Sequence, residues 1–135
     1  MKLLFNTLAL LFFFSLSCES QEKQNDVSLT YIAQTRGFIY SLQLKDNKLE
    51  LNNNNSFKKL ELSETDIEQI TKILSETDFE KIENNISVDD LAVDKAIQGN
   101  FDLIFNKKKH SFQFNHLNLP EKIKQLLSYL EALKE

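Results

Sequence analysis

The stretch "GFIYSLQLKDNKLELN", residues 37–52, decides the fold. Phe38, Tyr40, Leu42 and Leu44 alternate with Ile39, Ser41 and Gln43, the period of two expected of a strand with one buried face. After "KDNK" the alternation resumes at Leu49 and Leu51, and Asp46-Asn47 are residue types that tolerate the positive φ values of a tight turn. The stretch therefore predicts a hairpin. Upstream, residues 27–34 are apolar enough to extend the first strand backward, with a bend or bulge at Gly37. Downstream, "NNNN" at 52–55 predicts a loop.

Helical signals follow. Ser63 and Asp66 have the spacing of a capping box, and Ile67, Ile70, Ile73 and Leu74 recur on one side of a helix running from Glu64 to Glu76. Phe79 and Ile82 close it with a short turn against the same core, and residues 84–92 are polar and acidic, a loop. A second extended run spans 93–105, with Phe101, Leu103 and Phe105 alternating. "NKKK" turns the chain, and Phe112 and Phe114 return it. Pro120, Glu121 and the stripe Ile123, Leu126, Leu127, Leu130 and Leu133 predict a terminal helix ending near Lys134.

The expected fold is thus α+β: an antiparallel sheet of about four main strands from two hairpins, with two helices packed on one face in the order ββαββα. Gly37 and Gly99 each precede a run of alternating apolar residues, and "LELN" at 49–52 is echoed by "FQFN" at 112–115, which suggests a pseudo-repeat of about 60 residues. The pattern leaves strand order open.

The N-terminus has a different grammar. Lys2 is a charged first region, Leu3 to Leu16 an apolar run, and Ser15-Leu16-Ser17 stands before Cys18, the only cysteine. The apolar run is short of the ~20 residues that a spanning helix needs. The residues before Cys18 resemble the lipobox of bacterial lipoproteins, although Ser15 stands where Leu, Val or Ile is usual. That resemblance implies a signal peptide at 1–17, lipidation of Cys18 and location in the bacterial cell envelope, on the periplasmic face or the cell surface. Ordinary cleavage after Ser17 also satisfies the small-x-small rule. Against it, an unpaired thiol in an oxidising compartment has no second cysteine to bridge, whereas lipidation consumes it. Residues 18–26 then form the lipidated cysteine and a polar tether, of which the eight after Cys18 reach at most ~28 Å. Residues 27–135 form one domain.

Without residues 1–17 the chain carries 15 basic and 20 acidic residues, which argues against nucleic acid as a partner. Eleven of those acids fall within 60–94, as expected of a solvated helix face and its following loop, or of a docking surface for a basic partner. His110 and His116, at even spacing on a continuous strand and about 20 Å apart, read as strand-end or core-edge residues that do not share a metal. Asp89, Asp90 and Asp94 lack the spacing of a calcium loop. With no nucleophile–base motif, phosphate-cradling glycine run or metal-ligand spacing, the chain does not read as an enzyme, and no cofactor is expected. Lys107, Lys108 and Lys109 protect an edge from aggregation or meet anionic headgroups if their turn faces a membrane.

"YIAQTRGFIYSLQL", "DKAIQGNFDLIF" and "LPEKIKQLLSYL", in this order, resemble a group of small bacterial lipoproteins of uncharacterised role. More distantly, the plan is similar to emfourin-type inhibitors of thermolysin-like metalloproteases, with Gly37-Phe38 matching part of their Gly-Gly-Phe stretch and Arg36 in place of the first glycine. The resemblance transfers no inhibitory residue. The expected role is a lipid-anchored module that binds or inhibits another protein, with Thr35, Arg36, Gly37 and Phe38, the Asp46-Asn47 turn and Lys107, Lys108 and Lys109 read from their positions in the sequence as candidate contacts. The alternative is an accessory that scaffolds an envelope complex through the acidic 60–94 surface.

Overall fold

The structure, a computed structural model, describes residues 26–93 and 96–134. Six strands build one antiparallel sheet: β1 Ser28–Thr35, β2 Phe38–Lys45, β3 Lys48–Asn53, β4 Ser56–Glu61, β5 Gln98–Phe105 and β6 Lys108–Asn115, in spatial order β4-β3-β2-β1-β5-β6. Among the described residues three α-helices accompany them: α1 Glu64–Ser75, the five-residue α2 Val88–Ala92, and α3 Glu121–Ala132, with a 3-10 turn at Phe79–Lys81. The α+β class holds, but the count expected from the sequence, four strands and two helices, is corrected to six and three.

Each correction has a local cause. Gly37 marks a turn and not a bulge: Thr35 pairs with Phe38 across Arg36-Gly37, and Gly37 takes φ +90°, so the run from 27 to 45 is two strands. The asparagine run also turns. Asn54 and Asn55 both have positive φ, as do Asp46-Asn47 and Asn106-Lys107, which is the backbone of a two-residue hairpin turn whose twist matches that of the flanking strands. β4 follows at once, with Phe57 on the solvent face and Lys58 on the core face opposite Leu51, so the alternation that announces a strand is inverted there. The polar 84–92 segment contains α2, started by Ser87, whose hydroxyl accepts from Asp90 N at 3.1 Å. The pseudo-repeat is not present, since the first part supplies four strands and the second two, and Gly37 lies in a turn whereas Gly99 lies inside β5.

The helical expectations hold more closely. Ser63 caps α1 through the reciprocal bonds of a capping box, Asp66 N to Ser63 Oγ at 3.2 Å and Ser63 N to Asp66 Oδ2 at 3.0 Å. The Ser63 hydroxyl, donating to Asp66 Oδ2 at 2.7 Å, and the Ser63 N–H bond to the same oxygen hold the Asp66 carboxyl below the ordinary carboxylate range. Ile67, Ile70, Ile73 and Leu74 of α1, with Ile123, Leu126, Leu127 and Leu130 of α3, cover the inward face of the sheet. That face is formed by Leu29, Tyr31 and Ala33 of β1, Tyr40, Leu42 and Leu44 of β2, Leu49 and Leu51 of β3, and Phe101, Leu103 and Phe105 of β5. Burying each large side chain contributes about 1.5–3 kcal/mol. No helix among the described residues covers the other face, where Ile32, Ile39 and Ile104 are exposed.

Antiparallel pairing gives the sheet two ends. β1 begins at the end through which the chain enters the domain, and the Asp46-Asn47 and Asn106-Lys107 turns lie at this entry end. The Arg36-Gly37 and Asn54-Asn55 turns, with residues 116–119, lie at the far end. Eight-residue strands separate the two ends by about 26 Å.

Candidate functional site

The residues singled out in the sequence divide between the two ends. Asp46, Asn47, Lys107, Lys108 and Lys109 share the entry end, whereas Thr35, Arg36, Gly37 and Phe38 share the far end, so they form two surfaces and not one. Cys18, residues 1–17, most of the tether and Asp94 lie outside the described residues.

The entry end is basic for a reason that sequence spacing hides. Lys45 pairs with Lys48 across the β2–β3 turn, far from Lys107 in sequence, and the sheet order sets β1 alone between that hairpin and β5. Asp26, Val27 and Ser28 therefore run between the two basic turns, and with Lys45, Asp46, Ile104 and Lys107 they line an open hollow of about 300 Å³. None of these five lysines joins an ion pair among the described residues. Lys45 and Lys48 were missed because each reads as an ordinary strand-end lysine. The available signal was that both flank a turn.

At the far end Thr35, Arg36 and Gly37 are exposed, and Phe38 is half-buried with its ring 5.4 Å from that of His116. Beneath this turn lies a cluster that no single stretch announces. Tyr31 and Tyr40 are buried with their rings in edge contact at 5.7 Å, and His116 stacks on Tyr31 at 5.7 Å. Tyr31 Oη is 2.9 Å from His116 Nδ1, and Tyr40 Oη donates to Glu131 Oε1 at 2.5 Å. Burial pushes both phenols well above their usual range, with the Glu131 hydrogen bond and charge adding to the effect at Tyr40. Burial also lowers the His116 imidazole, against a smaller opposing pull from Glu131. Burial thus favours a protonated phenol beside a neutral imidazole, the two joined by a single hydrogen bond.

Tyr31 reaches His116 across Gly99, where the sheet has no side chain to block it. A Cβ on Gly99 would overlap Tyr31 Oη and stand 2.6 Å from Cζ and 2.7 Å from Cε2. Ala33, the partner of Gly99 on β1, keeps the other side of this trough shallow. The arrangement fills a corner of the core, with His116 part-buried at its edge. His110, six residues earlier, stacks on Phe79 at 4.4 Å, so the two histidines serve separate aromatic contacts.

The edge strands are tied differently. Asn84 Oδ1 and Asn85 Oδ1 accept from Gln113 N and Asn115 N, both at 2.7 Å, which occupies two donors on the outer edge of β6. On β4, Lys58 Nζ donates to Glu131 O and Leu133 O, both at 2.6 Å, satisfying carbonyls at the C-terminus of α3. On the open face Asn100, Asp102, Ser111 and Gln113, with Asn84 and Phe112 beside them, border a polar, open hollow of about 490 Å³. No described helix is long and apolar enough to cross a membrane. No protein-family model matches the chain, and no curated protein does.

Proposed function

We propose that the chain is a lipid-anchored envelope protein whose 27–135 domain binds, or inhibits, another envelope or secreted protein, with thermolysin-like metalloproteases as the first partner class to test. One observation carries the reading: the chain enters the domain at one end of the sheet, and the exposed Thr35-Arg36-Gly37 turn stands at the other, about 26 Å away. A tether on Cys18 would hold the entry end toward the bilayer and leave that turn free to meet a partner. The far-end cluster supports this use, because Phe38 rests on His116 and so holds the turn on a packed base with little ordering cost on binding.

The test is photocrosslinking in cells from position 36, compared with positions 68 and 80 on the acidic helical surface. A partner captured from position 36 and lost with the Arg36→Glu variant supports the module. Capture from 68 and 80 alone would replace it with the scaffolding accessory, for which the exposed Glu64, Glu68, Glu80 and Glu83 are the relevant contacts. Inhibition of a thermolysin-like protease by the purified chain would narrow the partner class, and labelled palmitate retained by Cys18→Ala would remove the anchor.

A further inference from the structure

From the placement of lysines around the chain's entry point, we propose that the entry end of the sheet is a membrane-docking face that rests on anionic phospholipid headgroups. The inference rests on the anchored reading above and adds an orientation to it: β strands upright, entry end down, Thr35-Arg36-Gly37 outermost.

Two independent features point to a lipid surface. The first is where the outside chain ends. Twenty-five residues precede Asp26, and Asp26 and Val27 lie in the hollow between the two entry-end turns, so any tether through Cys18 pulls on this end and no other. Eight residues after Cys18 span at most ~28 Å, and a slack tether allows contact without enforcing it.

The second feature is charge. Lys45 and Lys48 on one side of Asp26, and Lys107, Lys108 and Lys109 on the other, stand free of ion pairs among the described residues. The carboxylates at this end are Asp26, Asp46, Glu61 opposite Lys48, and Glu64 and Asp66 in the first turn of α1. The lysines are matched in number by these acids, but they flank the chain's entry as a rim, with Ile104 exposed on its outer side, whereas Glu61, Glu64 and Asp66 sit apart at the β4–α1 corner. Asp89 and Asp90 stand nearer the other end, since they follow Asn85, which is bonded to Asn118 in the far-end loop. An anionic surface attracts one end and repels the other, which orients the domain even where the net attraction is modest.

The one cysteine supplies the attachment, and because the chain has no tryptophan an introduced one is the sole indole reporter. The full chain, coupled through Cys18 to maleimide-bearing lipid, is placed on vesicles of phosphatidylcholine alone or with phosphatidylglycerol, each carrying a dansyl-headgroup lipid. Ile104→Trp reports on the entry end and Phe57→Trp on the far end. Docking predicts several-fold greater energy transfer from the Ile104→Trp chain on phosphatidylglycerol vesicles than on phosphatidylcholine. It also predicts loss of that difference in ~1 M salt, where the Debye length falls to about 3 Å, and no response from Phe57→Trp. With each surface lysine contributing about fivefold to partitioning, replacing all five by glutamine lowers the docked fraction by at least about tenfold. Circular dichroism confirms that this variant is folded, and the salt arm needs no variant. Equal transfer from Ile104→Trp on both vesicles, or a response confined to Phe57→Trp, would overturn the orientation. Because the coupling supplies the tether chemically, absence of palmitate on Cys18 in cells removes the anchored reading while the transfer measurement still decides the docking.

Discussion

Replacing Gly99 by alanine tests the packing of the far-end cluster directly. In an ordinary strand this change is mildly favourable, by roughly 0.5–1 kcal/mol, because alanine has less backbone entropy to lose. Here the new methyl overlaps Tyr31 Oη and sits 2.6 and 2.7 Å from Cζ and Cε2. Tyr31 cannot yield cheaply: it is 0% exposed, pressed against Tyr40 on one side and Phe101 on another, and its hydroxyl is held by His116. Overpacking of this kind costs about 1–3 kcal/mol, which outweighs the entropic gain. At a urea m-value of roughly 1–3 kcal/mol/M, a net loss of about 2 kcal/mol moves the unfolding midpoint down by roughly 1–2 M with an unchanged slope. Circular dichroism of the full chain in urea measures it. A second variant makes the cause specific. Tyr31→Phe alone loses the His116 bond, about 0.5–1.5 kcal/mol, but in the Gly99→Ala background it also removes the overlapping oxygen, so the double variant is more stable than the two single losses added together. A Gly99→Ala midpoint at or above that of the parent, or strict additivity in the cycle, would refute the close approach.

Three further outcomes follow from the same contacts. Lys58→Met keeps the apolar stem but removes two charge-assisted bonds to the α3 carbonyls; it lowers stability by about 1–2 kcal/mol and raises amide exchange in both β4 and the last turn of α3, whereas a loss confined to β4 would deny the tie. At Asn55, φ +73°, glycine leaves stability within a few tenths of a kcal/mol, and valine costs about 1–2 kcal/mol through its strained left-handed backbone; equal effects would show that the β3–β4 connection is not a tight turn. His116 gives a pH dependence. Burial holds its folded pKa below the unfolded value of about 6.5, so the unfolded chain binds more protons in between; the stabilising contribution is complete above about pH 6.5 and is lost as pH falls through the folded value. Thermal melts from about pH 7.5 to about pH 5.5 show a steeper decline for the parent than for His116→Asn, and parallel curves would contradict this.

How much of the fold can be read in advance depends on whether its signal is local. α1 is legible because its cap, Ser63 and Asp66, and its stripe, Ile67 to Leu74, lie within one short run and act on one another. β4 is not, because its inward residue Lys58 earns its place by reaching the end of α3, 73 residues away, and its exposed aromatic Phe57 points to solvent. Gly37 supports a bulge and a turn equally well until Thr35 is seen paired with Phe38. The candidate contacts were legible one turn at a time. Their division between two ends was not, since it depends on the pairing directions of all six strands.

The sequence by itself determined the α+β class, the apolar faces of α1 and α3, the hairpins at Asp46-Asn47 and at 106–107, and the position of the sole cysteine ahead of a polar run. These rest on periodicity, capping and turn chemistry, which act over a few residues. Tertiary structure alone decided that β5 lies beside β1. That adjacency brings Gly99 under Tyr31, carries His116 to the Tyr31 hydroxyl 85 residues away, and sets two lysine-bearing turns on either side of the chain's entry. The physical reason is that strand order is chosen by which faces and edges can be buried together across the whole chain, a long-range condition that no local pattern records.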